Sequence, residues 1–315
     1  MKKRITIKSN SNRGKLINAE DFPLYLMALP TVLYLVIFCY LPMVGLVMAF
    51  QDFNITKGIL TSPFVGFRNF EFLFSTTDAW VITRNTVVYN LVFIVVNLVI
   101  SITLALMLSS LRSAAYAKTM QTIYMMPFFL SYAVVAILVN AFLDRDNGLV
   151  NVIIRSTGEP GLINWYHRPK IWPPLLVFVN AWKGVGYQTV LYLAVISGIS
   201  VELYEAAVLD GATNWQKARY ITLPHLRHII GISLILSMGS IFRGDFGLFY
   251  NVPMDNGMLY PVTDVIDTYI YRALIYLSNV GMSTAAGLYQ SVVGFVLVIV
   301  ANKIVTKLDA DSAMF

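Results

Sequence analysis

Six stretches of more than 20 mostly apolar residues, at 22–50, 86–108, 122–143, 173–196, 226–250 and 284–305, dominate the sequence. A helix needs about 20 residues to cross the roughly 30 Å hydrocarbon core of a bilayer. Lipid offers backbone groups no hydrogen bonds, so a chain that places such runs in it must fold them as helices. The sequence therefore predicts an all-α integral membrane protein with six transmembrane helices. Composition agrees, because 57% of the residues are hydrophobic and 13% are charged, against about 25% charged in a soluble domain. The first run is too long for a signal-peptide core and has no small-residue cleavage pattern behind it. Its Pro30 and Pro42 are tolerable where neighbouring helices satisfy the freed carbonyls.

Orientation follows from Lys and Arg, which concentrate in short cytoplasmic segments. Lys2, Lys3, Arg4, Lys8, Arg13 and Lys15 precede the first run. With Arg112, Lys118, Lys217, Arg219, Arg227, Lys303 and Lys307 they place 13 cations on the side of both termini. The other side carries 8, namely Lys57, Arg68, Arg84, Arg145, Arg155, Arg168, Lys170 and Arg272. Both ends are predicted to be cytoplasmic. The chain then divides into a basic tail at 1–21, a six-span domain at 22–306 and a short tail at 307–315. The pI near 9.2 does not imply nucleic acid, since the excess is mostly the leader and not a clustered stripe on a soluble face. Cys39 is the one cysteine, so no disulfide framework and no cysteine-based metal site is available within the chain.

Three outer connections, at 51–85, 144–172 and 251–283, are long enough to suggest function. The first carries Phe64, Phe67, Phe70, Phe72, Phe74 and Trp80 and is expected to form short helices on the outer membrane face. On the inner side the connection at 198–224 reads as two short helices at an angle. Ser200 is a candidate cap for a helix over 201–209, with Glu202 favourable in its first turn. Gly211 suits the left-handed residue that ends it. A second helix is expected over 212–220, and Pro224 suits the first turn of the next span.

That loop holds Glu205-Ala206-Ala207, then Asp210-Gly211, and Ile221, Leu223 and Pro224 at its end. This pattern resembles the coupling-loop motif of binding-protein-dependent ABC import permeases. Leu24-Tyr25-Leu26, Phe50-Gln51-Asp52-Phe53-Asn54 and Asp264-Val265-Ile266-Asp267-Thr268-Tyr269 extend the resemblance to maltose-type carbohydrate permeases. Within them the chain is similar to the branch associated with complex oligosaccharides and polysaccharide fragments. The resemblance implies a type I importer permease fold in a bacterial cell membrane, and a transport subunit that is not itself an enzyme. It also implies a second homologous permease, two ATPase subunits that bind ATP and Mg, and an extracellular sugar-binding lipoprotein that delivers an oligosaccharide. No cofactor is expected in this chain.

Residue chemistry accords with docking. Ala206 and Ala207 let a partner surface approach the backbone, Leu203 extends the same narrow apolar face, and Glu205 offers a carboxylate to a cation. The chain has no GxxxxGK[ST] phosphate loop, its Gly14-Lys15 pair having Ser9 where the leading glycine would stand. ATP must be hydrolysed elsewhere.

Polar and aromatic residues inside the apolar runs are candidates for a solute path: Asn97, Trp182, Lys183, Tyr187, Gln188, Tyr192, Arg243, Asp245, Phe249, Tyr250, Tyr289 and Gln290. Lys183 lies about 15 Å deep at 1.5 Å per residue, where an ionisable group faces either water or a partner. An ion pair with Asp245 and a place on the path are both open readings. Arg243 and Asp245, two apart, do not face each other on a regular helix, so they require other partners or an irregular helix. Asn90, Asn97, Tyr289 and Gln290 also suit helix-to-helix hydrogen bonds. His225 and His228 lack a third ligand, so no metal site is expected. An ion-coupled secondary sugar transporter is the alternative reading.

Overall fold

The computed structural model describes residues 22–111, 113–158 and 162–308. The basic leader at 1–21, Arg112 and the tail beyond 308 lie outside the described residues, as does the Lys307 side chain. Helix is the sole extended element among the described residues, joined by one isolated antiparallel bridge between Gln51 and Phe64.

The chain enters through α1 (Phe22–Leu35), which continues through a wide turn at Val36–Tyr40 into a tightened run at Leu41–Phe50. Short pieces follow, α2 (Gly58–Thr61), a 3₁₀ turn at Arg68–Phe70 and α3 (Phe72–Ser75). Rings of Phe50, Phe64, Phe67 and Phe70 pack together there, with Phe50 within 5.5 Å of both Phe67 and Phe70. Next come α4 (Thr77–Ser109), α5 (Ala114–Met125), a 3₁₀ turn at Met126–Phe129, α6 (Tyr132–Leu143), α7 (Leu149–Ser156) and α8 (Trp172–Ser197). Then follow α9 (Val201–Leu209), α10 (Asn214–Lys217), α11 (Leu223–Gly239), α12 (Tyr260–Thr263), α13 (Ile266–Ile275) and α14 (Val280–Leu308).

Among the described residues four helices are long and apolar enough to cross a membrane: Pro23–Phe50, Thr77–Ser109, Asn214–Gly239 and Val280–Ile304. Two further pairs qualify together but are bent, Ala114–Phe129 with Tyr132–Leu143 by 97° and Pro169–Ser197 with Val201–Leu209 by 75°. The core lies between α4 and α8, where Tyr89, Phe93, Leu176 and Val179 meet Leu248, Phe249 and Val265. A smaller cluster, Ala105, Tyr192, Ile196 and Leu226, joins α4, α8 and α11 toward the loop side. The first segment is the opposite case, since only 6% of its apolar window is buried.

Three expectations change. The second run begins at Thr77 and not at 86, because the Thr76 hydroxyl accepts from the Ala79 amide and Asp78 sits in the first turn. Its 33 residues reach about 50 Å, well beyond the hydrocarbon core. The third run is not one straight helix. Pro127 tightens the chain into a 3₁₀ turn, and Ser131 starts a new helix by accepting from the Val134 amide. The fifth run stops at Gly239 instead of continuing to 250, and is followed by turns and a wide helical turn at Gly247–Asn251.

Candidate functional site

The loop between α8 and α11 is the first part of the site. Helix α9 spans the expected residues, and its Val201, Leu203, Val208 and Leu209 are exposed, Leu209 by 89%. Glu205 and Ala206 are exposed beside them. Glu205 makes no ion pair among the described residues. Ser200 is the cap residue by position but makes no side-chain capping bond, so that expectation is corrected. The end of the helix forms as expected. Gly211 has φ +74°, the Ala212 amide donates to Ala207 at 2.8 Å, and Asp210 occupies the last half-turn. Gly211 thereby closes the helix with the left-handed residue that a side chain disfavours.

The segment 212–220 does not form a separate helix. Thr213 and Gln216 make a capping box, and α10 runs through a wide turn at Ala218–Thr222 into α11, giving one continuous element over Asn214–Gly239. Ile221 lies in that turn, and Leu223 and Pro224 open α11. The hydroxyls of Tyr204 on α9 and Thr222 bond at 2.9 Å, and Thr222 is buried. The exposed helix is thus tied at its centre to the foot of α11. Nearby, the His225 ring nitrogen meets the Ile221 carbonyl at 2.6 Å.

The second part is the break after α11. A helix that stops inside an apolar region frees carbonyls that must find donors. Asn90 Nδ2 donates to the carbonyls of Ile241 and Arg243, each at 3.0 Å, and Gln290 Nε2 donates to that of Phe242 at 2.8 Å. The Gly244 amide donates to Asp267 Oδ2 at 2.5 Å, and Gln290 also reaches that oxygen, at 2.9 Å. Burial pushes the Asp267 carboxyl up, while the Gly244 amide and Gln290 act against it. A Cβ on Gly244 would stand 2.7 Å from Val265, so the break is packed tightly against α13. Arg243 and Asp245 therefore lie on irregular backbone, and the side chain of Arg243 is exposed.

Lys183 and Asp245 are not joined by an ion pair among the described residues. Lys183 Nζ donates to the Phe128 carbonyl at 2.8 Å and sits 4.9 Å from the centre of the Tyr132 ring. The charge of Asp245 lies close enough to act on Tyr132, and Asp245 Oδ1 accepts from the Leu248 amide. One tyrosine separates the two charges. Tyr187 stacks on Phe128 at 4.9 Å.

The remaining candidates scatter. Tyr192 is buried in the inner core cluster, and Phe249 packs at 4.8 Å from Tyr89. Asn97 donates to Asn180, Ser101 donates to Gln188, and Gln290 is committed to the break. Trp182 borders apolar hollows of about 360 and 420 Å³ shared with Phe178, a lipid-like setting. Tyr289 meets the rings of Phe74 and Phe242. Tyr250 stacks on Phe246 at 4.9 Å. Sequence reasoning missed Phe128, Tyr132, Tyr271 and Tyr276. Pro127 followed by the capping residue Ser131 was the available signal for the first two.

An ionic knot fixes the outer connection. Arg272 Nη1 meets Asp255 Oδ1 at 2.8 Å and Nη2 meets Asp264 Oδ2 at 2.5 Å, while the guanidinium lies 4.1 Å from the centre of the Tyr260 ring. Burial pushes the Asp264 carboxyl up, and Thr268 and Arg272 counter it. Met254 and Asp255 hold positive φ, 57° and 44°, a conformation costly for side-chain-bearing residues and sustained here by the knot.

A bundle of apolar helices with a polar break and a projecting loop helix defines a multi-pass membrane permease. Residues 97–309 match the family described as "Binding-protein-dependent transport system inner membrane component", and the chain belongs to that family. It is 36% identical over 293 residues to "Protein LplB" of Bacillus subtilis (strain 168), covering 93% of this chain and 91% of that protein. It is 34% identical over 288 residues to the "Polygalacturonan/rhamnogalacturonan transport system permease protein YteP" of the same organism, covering 91% and 89%. Among solved structures it is similar to a chain of a bacterial ABC transporter involved in the import of the acidic polysaccharide alginate. The TM-score is 0.83 at 34% identity, over 92% of this chain and 97% of that one. A second structure of a bacterial alginate ABC transporter, in complex with alginate pentasaccharide-bound periplasmic protein, gives 0.82 at 34% identity, over 92% and 96%.

Proposed function

We propose that this chain is the membrane subunit of an ATP-driven importer that carries oligosaccharides handed over by an extracellular binding protein. It spans the membrane six times with both termini in the cytoplasm. It pairs with a second homologous permease and is driven by two ATPase subunits that bind ATP and Mg. The relatives support the solute class, since one is a polygalacturonan and rhamnogalacturonan permease and two are alginate importers.

The observation that carries the reading is the exposed helix α9, latched by Tyr204 to the foot of a continuous element over Asn214–Gly239. An apolar, alanine-lined helix left in water has the form of a ligand for a groove. A partner that shifts it as a rigid body pulls on α11 through the Tyr204–Thr222 bond and the Gly211 turn, and α11 ends at the polar break. Alternating access by rigid-body motion then follows. Glu205→Lys places a like charge against a cationic partner and is expected to abolish co-purification of the ATPase or ATP-dependent uptake, with the chain still inserted in the membrane. Wild-type co-purification together with wild-type uptake in that variant would contradict the assignment of the loop.

A further inference from the structure

Helix α4 meets the chain beyond α11 through one stripe of polar residues. Asn85, Thr86, Tyr89 and Asn90 stand at i, i+1, i+4 and i+5, so they share a face of the helix. All four bond to the backbone of the segment over 241–266. Asn85 Nδ2 donates to the Asp264 carbonyl at 3.0 Å, the Tyr89 hydroxyl donates to that of Val262 at 2.8 Å, and the Thr86 hydroxyl accepts from the Ile266 amide at 3.0 Å. Asn90 Nδ2 donates to the carbonyls of Ile241 and Arg243. Asn85, Thr86 and Tyr89 are at most 6% exposed, so their bonds are closed off from water. The chain over 240–245 is not helical, and its course there is set by what it meets on α4.

Asn90 differs from the other three in its arithmetic. Its Nδ2 carries two hydrogens, yet three carbonyls lie within bonding distance, that of Thr86 at 2.8 Å and those of Ile241 and Arg243 at 3.0 Å each. One acceptor is always short of a full bond, so drawing one carbonyl away while another comes closer costs less than breaking a fully made bond. The neighbouring Gln290 has no such slack, its Nε2 serving Phe242 and Asp267 with one hydrogen each. The slack sits just past the end of α11. A Cβ on Gly239 would stand 2.7 Å from Val298 Cγ2, and one on Gly294 would stand 3.1 Å from the Gly239 carbonyl oxygen. The end of α11 therefore bears directly on α14, and a shift of α11 is confined by that contact. Ile241 and Arg243 are the first groups beyond it that α4 holds.

We infer that Asn90 is a positioning residue of transport. It is the exchangeable joint that passes a shift of α11 to the segment over 241–266 by trading its bonds among three carbonyls, while Asn85, Thr86 and Tyr89 keep the rest of that segment on α4. The inference rests on the reading of the chain as a permease driven through the α9 loop, and adds the residue at which the drive is delivered.

The test uses the complete transporter, this chain with its partner subunits, in vesicles with ATP inside and binding protein outside, supplied with labelled oligogalacturonates and alginate oligomers. Uptake per ATP hydrolysed and melting temperature are read for each variant once co-purification of the partners has confirmed assembly. Asn90→Leu removes both hydrogens at similar volume. It is expected to keep ATP hydrolysis within about twofold of wild type and to lower uptake per ATP about tenfold, the factor that corresponds to one lost hydrogen bond. Asn90→Gln, which keeps two hydrogens, should recover most of that ratio. Tyr89→Phe takes a bond from the fixed part and should lower the melting temperature with uptake per ATP unchanged. Uptake and hydrolysis falling by the same factor in Asn90→Leu, as from a general loss of structure, would overturn the proposal, and so would a wild-type ratio. Asn90→Ser, with one hydrogen, decides the matter if Asn90→Leu does not assemble: lowered uptake per ATP supports the joint, and a wild-type ratio overturns it. A wild-type transporter that takes up no oligosaccharide with ATP would refute the permease reading itself, whatever the variants do.

Discussion

Arg272 concentrates the tension between charge and burial in this fold. Its side chain is 15% exposed, and it balances two carboxylates that are 18% and 10% exposed. Removing one member of such a group leaves the others buried and uncompensated, which costs more than the group contributes when intact. Arg272→Ala is expected to destabilise the protein by about 3 to 5 kcal/mol, read as a loss of thermal stability in detergent. Adding Asp255→Asn and Asp264→Asn to that variant should restore much of the loss. An unchanged melting temperature in the single variant would show that the knot is not structural. None of this was legible in the sequence, because Asp255 lies in a turn, Asp264 between α12 and α13, and Arg272 on α13. Arg243 and Asp245 were legible in part. Their two-residue spacing demanded an irregular helix, and the irregularity is there. Where the broken backbone found its donors was not readable, since Asn90 and Gln290 come from α4 and α14.

At the scale of elements, the extent of α9 and its glycine stop were legible, while the Ser200 cap and the course of the chain after Gly211 were not. Gly211 announced the end of α9, and the structure gives it φ +74°. The Thr213-x-x-Gln216 capping box also marks a helix start, and the helix it opens runs on past Pro224. The box wins because Pro224 stands in the first turn of α11, directly after the wide turn at Ala218–Thr222, where a missing amide costs little. The result is a longer continuous element, the 26 residues of Asn214–Gly239. Close approach between α8 and α5 was beyond sequence reasoning for another reason. A Cβ on Gly186 would stand 1.9 Å from the Tyr124 carbonyl oxygen, a contact set by tertiary packing and marked in the sequence by one glycine among many. Gly186→Ala must push the helices apart and is expected to cost about 1 to 3 kcal/mol, seen as a lower melting temperature. The same substitution at Gly287, where a Cβ meets nothing within 4 Å, should leave it unchanged. Equal behaviour of the two variants would mean that α5 and α8 do not pack as described.

For the whole molecule, the six apolar runs identified the class of solvent and the helical fold, while the bends came from elsewhere. A run of apolar residues states only that a segment belongs in lipid. It is silent about the 97° bend between α5 and α6, which Pro127, Ser131 and the surrounding packing impose together. The architecture that results has an exposed loop helix tied to one end of α11 and a polar, aromatic break at the other. On the proposed reading, a partner acting on the first reaches the second through the continuous element Asn214–Gly239.

The most direct test is uptake by vesicles that contain the assembled transporter, with proton and sodium gradients collapsed, binding protein and oligosaccharide outside and ATP sealed inside. Uptake is expected to continue, to require ATP hydrolysis and to be lost with Glu205→Lys. Oligosaccharide movement by the isolated chain, driven by an ion gradient with no ATPase bound, would contradict it.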